Sequence, residues 1–197
     1  MAAEDFMTIE ELGDKFPQEW ISNRGLVPYI KRHGENVVGL EIGTCRGEST
    51  YFFLDKCVNI IKLYTVDPYQ SYEDWVGTIS QEDLDKHEAI AKKNLEKFGD
   101  RVQMIKKTSE ETAKMIDTII EGDAPFDFIF VDGDHSYDAT LKDCELFYPM
   151  LKKGGLFCGH DYQTIHTVKQ AVDDFRTRNK ITSPINLSLN SSFFWNK

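Results

Sequence analysis

The feature that most constrains this chain is a glycine-punctuated turn that follows an apolar run. Residues 37–50 consist of an apolar run, an acid at Glu41, a turn that contains Gly43 and Gly47, and a helix start. The two glycines allow the positive φ angles and the close backbone approach that a tight turn beneath a ligand requires. The following helix directs its unpaired N–H groups at that ligand. The sequence therefore predicts a strand that leads into a nucleotide-binding turn.

The spacing within this turn differs from the pattern of dinucleotide-binding folds, which is G-x-G-x-x-G. Here the pattern is Glu41-x-Gly43-x-x-x-Gly47, with a carboxylate near the end of the strand. A second acid, Asp67, ends the next apolar run. A carboxylate at that position can accept charge-assisted hydrogen bonds from both hydroxyls of a ribose. A glycine turn after a strand is common in α/β proteins. The turn together with Asp67 is therefore stronger evidence for a nucleotide-type cofactor than the turn alone.

With these residues the chain resembles the class I S-adenosylmethionine-dependent methyltransferases. The resemblance implies a Rossmann-like α/β fold with a mostly parallel seven-stranded sheet, helices on both faces and a C-terminal antiparallel hairpin. In this family the first motif wraps the methionine part of the cofactor, and the second acid holds the ribose. The implied cofactor-binding residues are Glu41, Gly43, Thr44, Gly47, Ser49, Asp67, Thr108, Ser109 and Asp132.

Thr108 and Ser109 also fit a purely structural role. Either residue reads as a helix N-cap, with Glu111 or Glu110 in the first turn of the helix. The resemblance places the same turn beside the adenine ring of the cofactor. Capping is the prediction that follows from the residues themselves.

Polar side chains follow two further apolar runs at the points where the predicted strands end. Asp132, Asp134 and His135 follow one run, and His160 and Asp161 follow the next. Ligands of open α/β sheets lie at the carboxyl ends of the strands, so we expect these side chains to share a cleft. Oxygen-rich ligation suits Mg²⁺ or Mn²⁺ better than Zn²⁺. The alternative is that the aspartates cap the next helix and the histidines are ordinary loop residues.

The pattern Asp132-Gly133-x-His135, with an acid at the end of the next strand, is similar to the metal-dependent sugar O-methyltransferases that act on macrolide deoxysugars. This resemblance implies that Asp132 and Asp161 bind the metal, and that His135 is the general base. Asp132 and His135 are thus the predicted catalytic residues. His160 stands where that group has Glu. We predict it as a third metal ligand; a preference for manganese or another metal, or weaker metal binding, are the other outcomes that this difference allows.

The predicted function is metal-assisted transfer of a methyl group from S-adenosylmethionine to a hydroxyl of a sugar or glycan. A catechol-type phenol or another small hydroxylated metabolite is the alternative acceptor, because a sugar diol and a catechol present similar oxygens to a metal. A non-catalytic nucleotide- or metabolite-binding module is the alternative from another class.

Length and charge bound the organisation of the protein and its partners. The 197 residues, with 41% hydrophobic and 28% charged residues, predict one domain, in which residues 1–36 form a helical lid or cover and residues 37–197 form the core. The net charge of −10 argues against nucleic acid or an acidic membrane as a partner. No signal peptide or long apolar run is evident, so we expect a cytoplasmic protein. The expected partners are a small-molecule or carbohydrate acceptor and, as the alternative to a monomer, a second copy of the chain.

Four local predictions complete the analysis. The cysteines are expected to be reduced and buried, because they show no C-x-x-C pairing. The aromatic residues after Asp67 are expected either to stack on a ligand ring or to pack under their loop. Helices are predicted from Gln81 to Phe98, with Gly99 as the C-cap, and from Thr164 to Arg178. The cysteines are Cys45, Cys57, Cys144 and Cys158, and the aromatic residues are Tyr69, Tyr72 and Trp75.

Overall fold

The computed structural model describes residues 7–12, 24–71, 73–74, 77–119, 126–188 and 191–197. Its helices are α1 (Ile9–Leu12), α2 (Val27–Lys31), α3 (Glu48–Lys56), α4 (Gln81–Leu95), α5 (Ser109–Ile119), α6 (Tyr137–Phe147) and α7 (His166–Arg178). Its strands are β1 (Val37–Ile42), β2 (Ile60–Val66), β3 (Glu73–Asp74), β4 (Gly77–Thr78), β5 (Val102–Ile105), β6 (Phe126–Val131), β7 (Leu151–Gly159), β8 (Asn186–Leu187) and β9 (Phe193–Asn196).

Seven of these strands form one sheet in the order β5-β2-β1-β6-β7-β9-β8. The first five strands in that order are parallel, whereas β9 pairs antiparallel with both β7 and β8. Strands β3 and β4 form a separate two-stranded antiparallel ribbon. The mostly parallel sheet, the C-terminal antiparallel hairpin and the Rossmann-like fold that the sequence predicts are therefore confirmed.

Alternating side chains of the central strands pack into two apolar cores, one on each face of the sheet. Leu40 and Ile42 of β1 join one core with residues from α5, α6 and α7. Phe128 and Phe130 of β6 join the other core with residues from α2 and α3. In that second core the Phe53 ring of α3 packs edge-on against both β6 rings, at centroid distances of 5.5 and 5.2 Å. Burial on both faces explains why the central strands read as nearly continuous apolar runs.

The carboxyl ends of the central strands stay hydrogen-bonded to one another beyond the sheet. The backbone N–H of Gly43 donates to the last residue of β2 at 2.8 Å, and that of Asp132 to the last residue of β1 at 2.8 Å. The backbone N–H of His160 donates to the last residue of β6 at 3.2 Å. The loops that follow β1, β6 and β7 are therefore brought together at one edge of the sheet.

Two predicted helix boundaries differ from the structure. The helix from Gln81 ends at Leu95 and continues as a 3-10 segment, Glu96–Arg101, within which Gly99 has a φ of 52°. Helix α7 begins two residues later than predicted, because the hydroxyl of Thr164 donates to Asp161 in the preceding turn instead.

The N-terminal segment is anchored to the glycine-punctuated turn through one side chain. The Ile9 N–H donates to Oδ1 of Asn94 at 2.9 Å, and Nδ2 of Asn94 donates to the carbonyl of Arg46 at 2.8 Å. Residues 13–23 of the predicted lid lie outside the described residues. Among the described helices, none is both long and apolar enough to cross a membrane.

We expect Gly43→Ala to destabilise the fold more than Gly34→Ala. Both glycines have positive φ angles, of 94° and 105°, but a Cβ on Gly43 would lie 1.9 Å from the carbonyl oxygen of Asp132, whereas a Cβ on Gly34 would have no atom within 4 Å. Gly34→Ala should cost about 1–2 kcal/mol from its φ alone. Gly43→Ala should cost roughly a further 1–3 kcal/mol from the steric clash. Urea unfolding of the two variants measures both costs, and equal costs would contradict this account of the turn.

Candidate active site

A cavity of about 770 Å³ opens at the carboxyl ends of the parallel strands. The loops after β1, β2, β5, β6 and β7 form its walls. It is lined by the predicted site residues Gly43, Thr44, Ser49, Asp67, Thr108, Ser109, Asp132, His135, His160 and Asp161. Glu41 and Gly47 are the two predicted site residues that do not line it.

The glycine-punctuated turn has the backbone geometry that the sequence predicts. Gly43 has a φ of 94°, and Gly47, which is the N-cap residue of α3, has a φ of 77°. The Gly47 N–H closes the turn by donating to the carbonyl of Thr44 at 2.7 Å. A side chain on Gly47 would contact Leu95 of α4 at 3.2 Å. Gly47 thus lies on the side of the turn that packs against α4, whereas Thr44 and Ser49 line the cavity.

The prediction that all four cysteines are buried is wrong for Cys45. Cys57, Cys144 and Cys158 are buried, whereas Cys45 is exposed and lines the cavity. The reason is its position within the turn, where its backbone adopts a φ of 46°. All four are free thiols in the structure.

Glu41 is fully buried beneath the turn. Its Oε2 accepts hydrogen bonds from the hydroxyls of Thr50 and Thr65, the latter at 2.7 Å, and the Thr65 hydroxyl lies 2.6 Å from that of Thr44. Its Oε1 has no hydrogen-bond partner among the described residues. Burial raises the pKa of Glu41 to about 8, against the lowering effect of the two hydroxyl donors. Glu41 therefore supports the turn from below through threonine hydroxyls.

Asp67 lines the cavity and also orders the two loops around it. Its Oδ2 accepts the backbone N–H of Cys45 at 2.9 Å, and its Oδ1 accepts that of Tyr69 at 2.8 Å. Burial raises the pKa of Asp67 in spite of these bonds. Tyr69 is buried under its loop, and its hydroxyl donates to the carbonyl of Cys45 at 2.8 Å. Tyr72 and Trp75 lie outside the described residues.

Thr108 and Glu111 form the capping box of α5. The Thr108 hydroxyl accepts the backbone N–H of Glu111 at 3.2 Å, and the Glu111 carboxylate accepts the backbone N–H of Thr108 at 3.0 Å. The capping role predicted for this turn is thus present, and Thr108 and Ser109 also line the cavity.

Asp143 is a cavity residue that the sequence analysis does not predict. It is 5% exposed on α6, and burial raises its pKa to about 7 although the side chain of Ser109 hydrogen-bonds to it. One of its oxygens lies 3.5 Å from the position that a Cβ on Gly133 would take. The spacing of residues along α6 could have indicated that Asp143 is buried. Asp143 follows Thr140 by three residues and precedes Phe147 by four, so it lies on the same face of the helix as these two buried residues.

Four side chains from two neighbouring loops converge at one side of the cavity. His135 Nε2 lies 3.2 Å from Asp161 Oδ2 and 3.7 Å from Asp132 Oδ1. His160 Nδ1 lies 3.1 and 3.7 Å from the same two oxygens. One ligand atom each from Asp132, His135 and Asp161 lies within 4.8 Å of the others, all three residues being partly buried. Two carboxylates and an imidazole at this separation fit a divalent cation.

The carboxylates and histidines in this cluster shift one another's protonation. Burial by itself would lower the pKa of His135, but the neighbouring carboxylates of Asp132 and Asp161 outweigh it and raise that pKa to about 10. Burial would raise the pKa of Asp161, but hydrogen bonds from His135 and His160 hold it well below its ordinary range. The cluster thus attracts positive charge strongly.

The helix-cap alternative applies to neither Asp132 nor Asp134. The N-cap of α6 is Ser136, whose hydroxyl accepts the backbone N–H of Ala139 at 3.3 Å. Asp134 accepts the backbone N–H of Ser136 at 2.8 Å and so shapes the turn that precedes the helix. Asp132 points its carboxylate at the two histidines instead.

A family model described as "Methyltransferase domain" matches residues 40–162, which is more than half of the chain and includes the ends of all the strands that form the cavity. The chain therefore belongs to this family of methyltransferase domains. The class of protein that the glycine-punctuated turn and the second acid predict is confirmed.

The chain is also similar to individual proteins, to one in sequence and to others in fold. "Uncharacterized protein R132" of Acanthamoeba polyphaga mimivirus is 31% identical over 134 residues, which cover 66% of this chain and 53% of the relative. The chain thus spans about half the length of this curated relative. The O-methyltransferase NovP has a TM-score of 0.65 at 16% identity, over 91% of this chain and 79% of NovP. MycE methyltransferase from the mycinamycin biosynthetic pathway, in complex with Mg and SAH, has a TM-score of 0.52 at 17% identity. This match covers 96% of this chain and 49% of MycE.

We expect the replacement Glu41→Gln to flatten the pH dependence of stability. The folded-state pKa of about 8 exceeds the ordinary value of 4.5, so the folded state holds this proton more tightly. The stability that results is complete below about pH 4.5 and is lost as the pH rises through about 8. Every tenfold difference in proton affinity between the folded and unfolded states corresponds to about 1.4 kcal/mol of stability.

The measurement is urea unfolding of the wild type and Glu41→Gln between pH 4.5 and pH 8.5. The free-energy difference between them should move in favour of the variant as the pH rises. Glu10→Gln, which changes an exposed carboxylate, serves as the control and should give a profile parallel to the wild type. A difference that stays constant with pH would contradict the proton-binding role of Glu41.

Proposed function

We propose that the chain is an S-adenosylmethionine-dependent O-methyltransferase that uses a divalent metal and methylates a hydroxyl of a sugar or glycan. The observation that carries the proposal is that the same cavity is lined by Asp67 and the glycine-punctuated turn and by the cluster of Asp132, His135, His160 and Asp161. Its volume lies within the range of about 300–1,000 Å³ that small-molecule and cofactor sites occupy. Membership of the methyltransferase family supports the reaction class, and the Mg and SAH of MycE support pairing a metal with this cofactor.

The cofactor site is proposed at the part of the cavity formed by the loops after β1, β2 and β5. Asp67 suits the ribose, because its carboxylate lines the cavity and keeps lone-pair capacity for a ribose hydroxyl besides the backbone N–H groups that it accepts. Glu41 and Gly47 act on the cofactor indirectly, by shaping the turn. The residues proposed to contact it are Gly43, Thr44, Ser49, Asp67, Thr108, Ser109 and Asp132.

The metal site is proposed at Asp132 and Asp161, with His160 as the third ligand. The carboxylate oxygens that face the cluster are Oδ1 of Asp132 and Oδ2 of Asp161, and Nδ1 of His160 is 3.1 Å from the latter. His135 Nε2 faces the same oxygens at similar distances. We assign His135 to proton transfer rather than to ligation, following the resemblance to metal-dependent sugar O-methyltransferases.

The residues of the chain have three tasks in this reaction. When bound, S-adenosylmethionine would supply an activated methyl group, and a divalent cation held by Asp132 and Asp161 would stabilise charge that develops on the acceptor oxygen. The cavity holds cofactor and acceptor in line, a contribution that orientation can make large. With a cation bound to the two carboxylates that raise its pKa, His135 would accept the acceptor's hydroxyl proton as the new oxygen–carbon bond forms and the carbon–sulfur bond breaks. Asp132 Oδ1 and Asp161 Oδ2 lie 3.7 and 3.2 Å from Nε2 of His135 and so orient its ring.

Titration calorimetry of the metal-stripped protein tests both parts of the site. We expect S-adenosylmethionine to bind without metal, and Mn²⁺ to bind in a separate event that Asp132→Ala abolishes. Asp67→Asn should weaken cofactor binding and leave Mn²⁺ binding intact, because Asp67 belongs to the cofactor part alone. Failure of the wild type to bind S-adenosylmethionine or its demethylated product would remove the proposed function.

An acceptor screen that begins with sugars and then takes catechols tests the chemistry. We expect His135→Gln to reduce turnover about 10²–10⁴-fold, the usual contribution of a general base, with cofactor affinity unchanged. The matched control is His166→Gln, which changes an exposed histidine at the start of α7 and should keep full turnover. Full turnover in both His135→Gln and Asp161→Ala would contradict the assigned roles. A wild type that binds cofactor but methylates no acceptor would favour the binding-module alternative.

A further inference from the structure

Asp161 is held in an unusual backbone conformation at the end of β7. Its φ is 61°, in the left-handed region that residues other than glycine rarely adopt. Its carbonyl accepts the backbone N–H of Ile165 at 2.9 Å, which closes a turn over residues 161–165 before α7 begins. Such strain persists only where the surrounding structure enforces it, and it concentrates at functional sites.

The two carboxylate oxygens of Asp161 have different partners. Oδ2 faces the cluster, 3.2 Å from His135 Nε2 and 3.1 Å from His160 Nδ1. Oδ1 accepts a hydrogen bond from the hydroxyl of Thr164 at 2.6 Å. Thr164 therefore fixes the rotation of the carboxylate about its Cβ–Cγ bond.

The Thr164 hydroxyl is itself oriented by Ser191, the residue two positions before β9. The two side-chain oxygens are 3.2 Å apart. Because a hydroxyl has one proton and that of Thr164 goes to Asp161, the Ser191 hydroxyl donates to Thr164. Ser191 Oγ in turn accepts the backbone N–H of Gln163 at 2.7 Å, and its carbonyl accepts that of Tyr162 at 3.1 Å. The turn is thus attached to the sheet through Ser191, which is 7% exposed.

We propose that Thr164 is the positioning residue of the metal site, which it serves by holding Asp161 Oδ2 toward the cation. This inference rests on the proposed function, because it assumes that Asp161 binds a metal. A carboxylate ligand that keeps one oxygen in a fixed hydrogen bond is pre-oriented, so less rotational freedom is lost when the cation binds. Replacement of such outer partners usually weakens metal binding about 10–100-fold.

Thr164 could position Asp161 for the metal, or it could only stabilise its own turn. Measuring metal affinity separately from activity distinguishes these two roles. The probe is Mn²⁺ alone, titrated into the full chain and followed by the electron paramagnetic resonance signal of the free ion. The variants are Thr164→Val, which removes the donor at nearly constant shape, and Thr164→Ser, which keeps it. The control is Thr177→Val, because Thr177 is an exposed threonine of α7 that also makes a side-chain hydrogen bond, to the carbonyl of Asp173.

We expect Thr164→Val to weaken Mn²⁺ binding about 10–100-fold, while Thr164→Ser and Thr177→Val bind Mn²⁺ as the wild type does. Affinity for S-adenosylmethionine should be equal in all four proteins. Thermal melting without metal reports on folding, and Thr164→Val should melt close to Thr177→Val. Wild-type Mn²⁺ affinity in Thr164→Val would overturn the inference and leave the proposed function intact. No Mn²⁺ binding by the wild type would instead remove the metal from the proposed function.

Discussion

The close approach of Gly43 to the backbone of Asp132 is the constraint on which the cavity depends. A Cβ at this position would lie 1.9 Å from the Asp132 carbonyl oxygen, so only glycine lets the turn after β1 meet the end of β6. The contact also allows the Asp132 N–H to donate to the last residue of β1. The ligand-facing turn and the first acid of the cluster are thereby fixed relative to each other by backbone alone. Their separation does not depend on any flexible side chain.

Buried polar groups then give this backbone frame its rigidity. Beneath the turn, the Glu41 carboxyl accepts hydrogen bonds from the hydroxyls of Thr50 and Thr65. The Thr65 hydroxyl is also hydrogen-bonded to that of Thr44. On the far side, Asp143 lies between Ser109 and Gly133. Burying a carboxyl costs free energy unless it is hydrogen-bonded or protonated. Burial accordingly raises the pKa values of Glu41 and Asp143, although threonine or serine hydroxyls hydrogen-bond to each of them.

Most of the fold could be predicted because it follows from local patterns. Apolar runs ended by glycine or acid mark the parallel strands, and parallel strands must present their ends at one edge. Placing Asp67 and Asp132 on one cavity therefore needs no knowledge of side-chain packing. Asp143 could have been found by the same means, since it lies on the buried face of a recognisable helix. The exposure of Cys45 follows from its place in the turn, where the residue lines the cavity while its Sγ lies 3.9 Å from Nδ1 of the buried His87.

The orientation of Asp161 could not be predicted, because it depends on residues far apart in the sequence. The hydroxyls of Thr164 and Ser191 meet across a separation of 27 residues, and no period or motif encodes that meeting. A left-handed φ at an aspartate is likewise set by the turn that encloses it rather than by the residue. Sequence patterns therefore locate the acids of a site more readily than they reveal which oxygen faces the ligand.

His160 affects the charge of the proposed metal site. Under the proposed function, Asp132 and Asp161 together carry the two negative charges that balance a divalent cation. A glutamate at position 160, as in the sugar O-methyltransferases that the chain resembles, would add a third negative charge. An imidazole ligand would instead add a nitrogen without negative charge, and Nδ1 of His160 lies 3.1 Å from Asp161 Oδ2. Imidazole suits transition metals better than Mg²⁺, which prefers oxygen. Under the proposed function, the exchange of an anion for an imidazole would favour Mn²⁺ over Mg²⁺, without altering the strand ends that place these side chains.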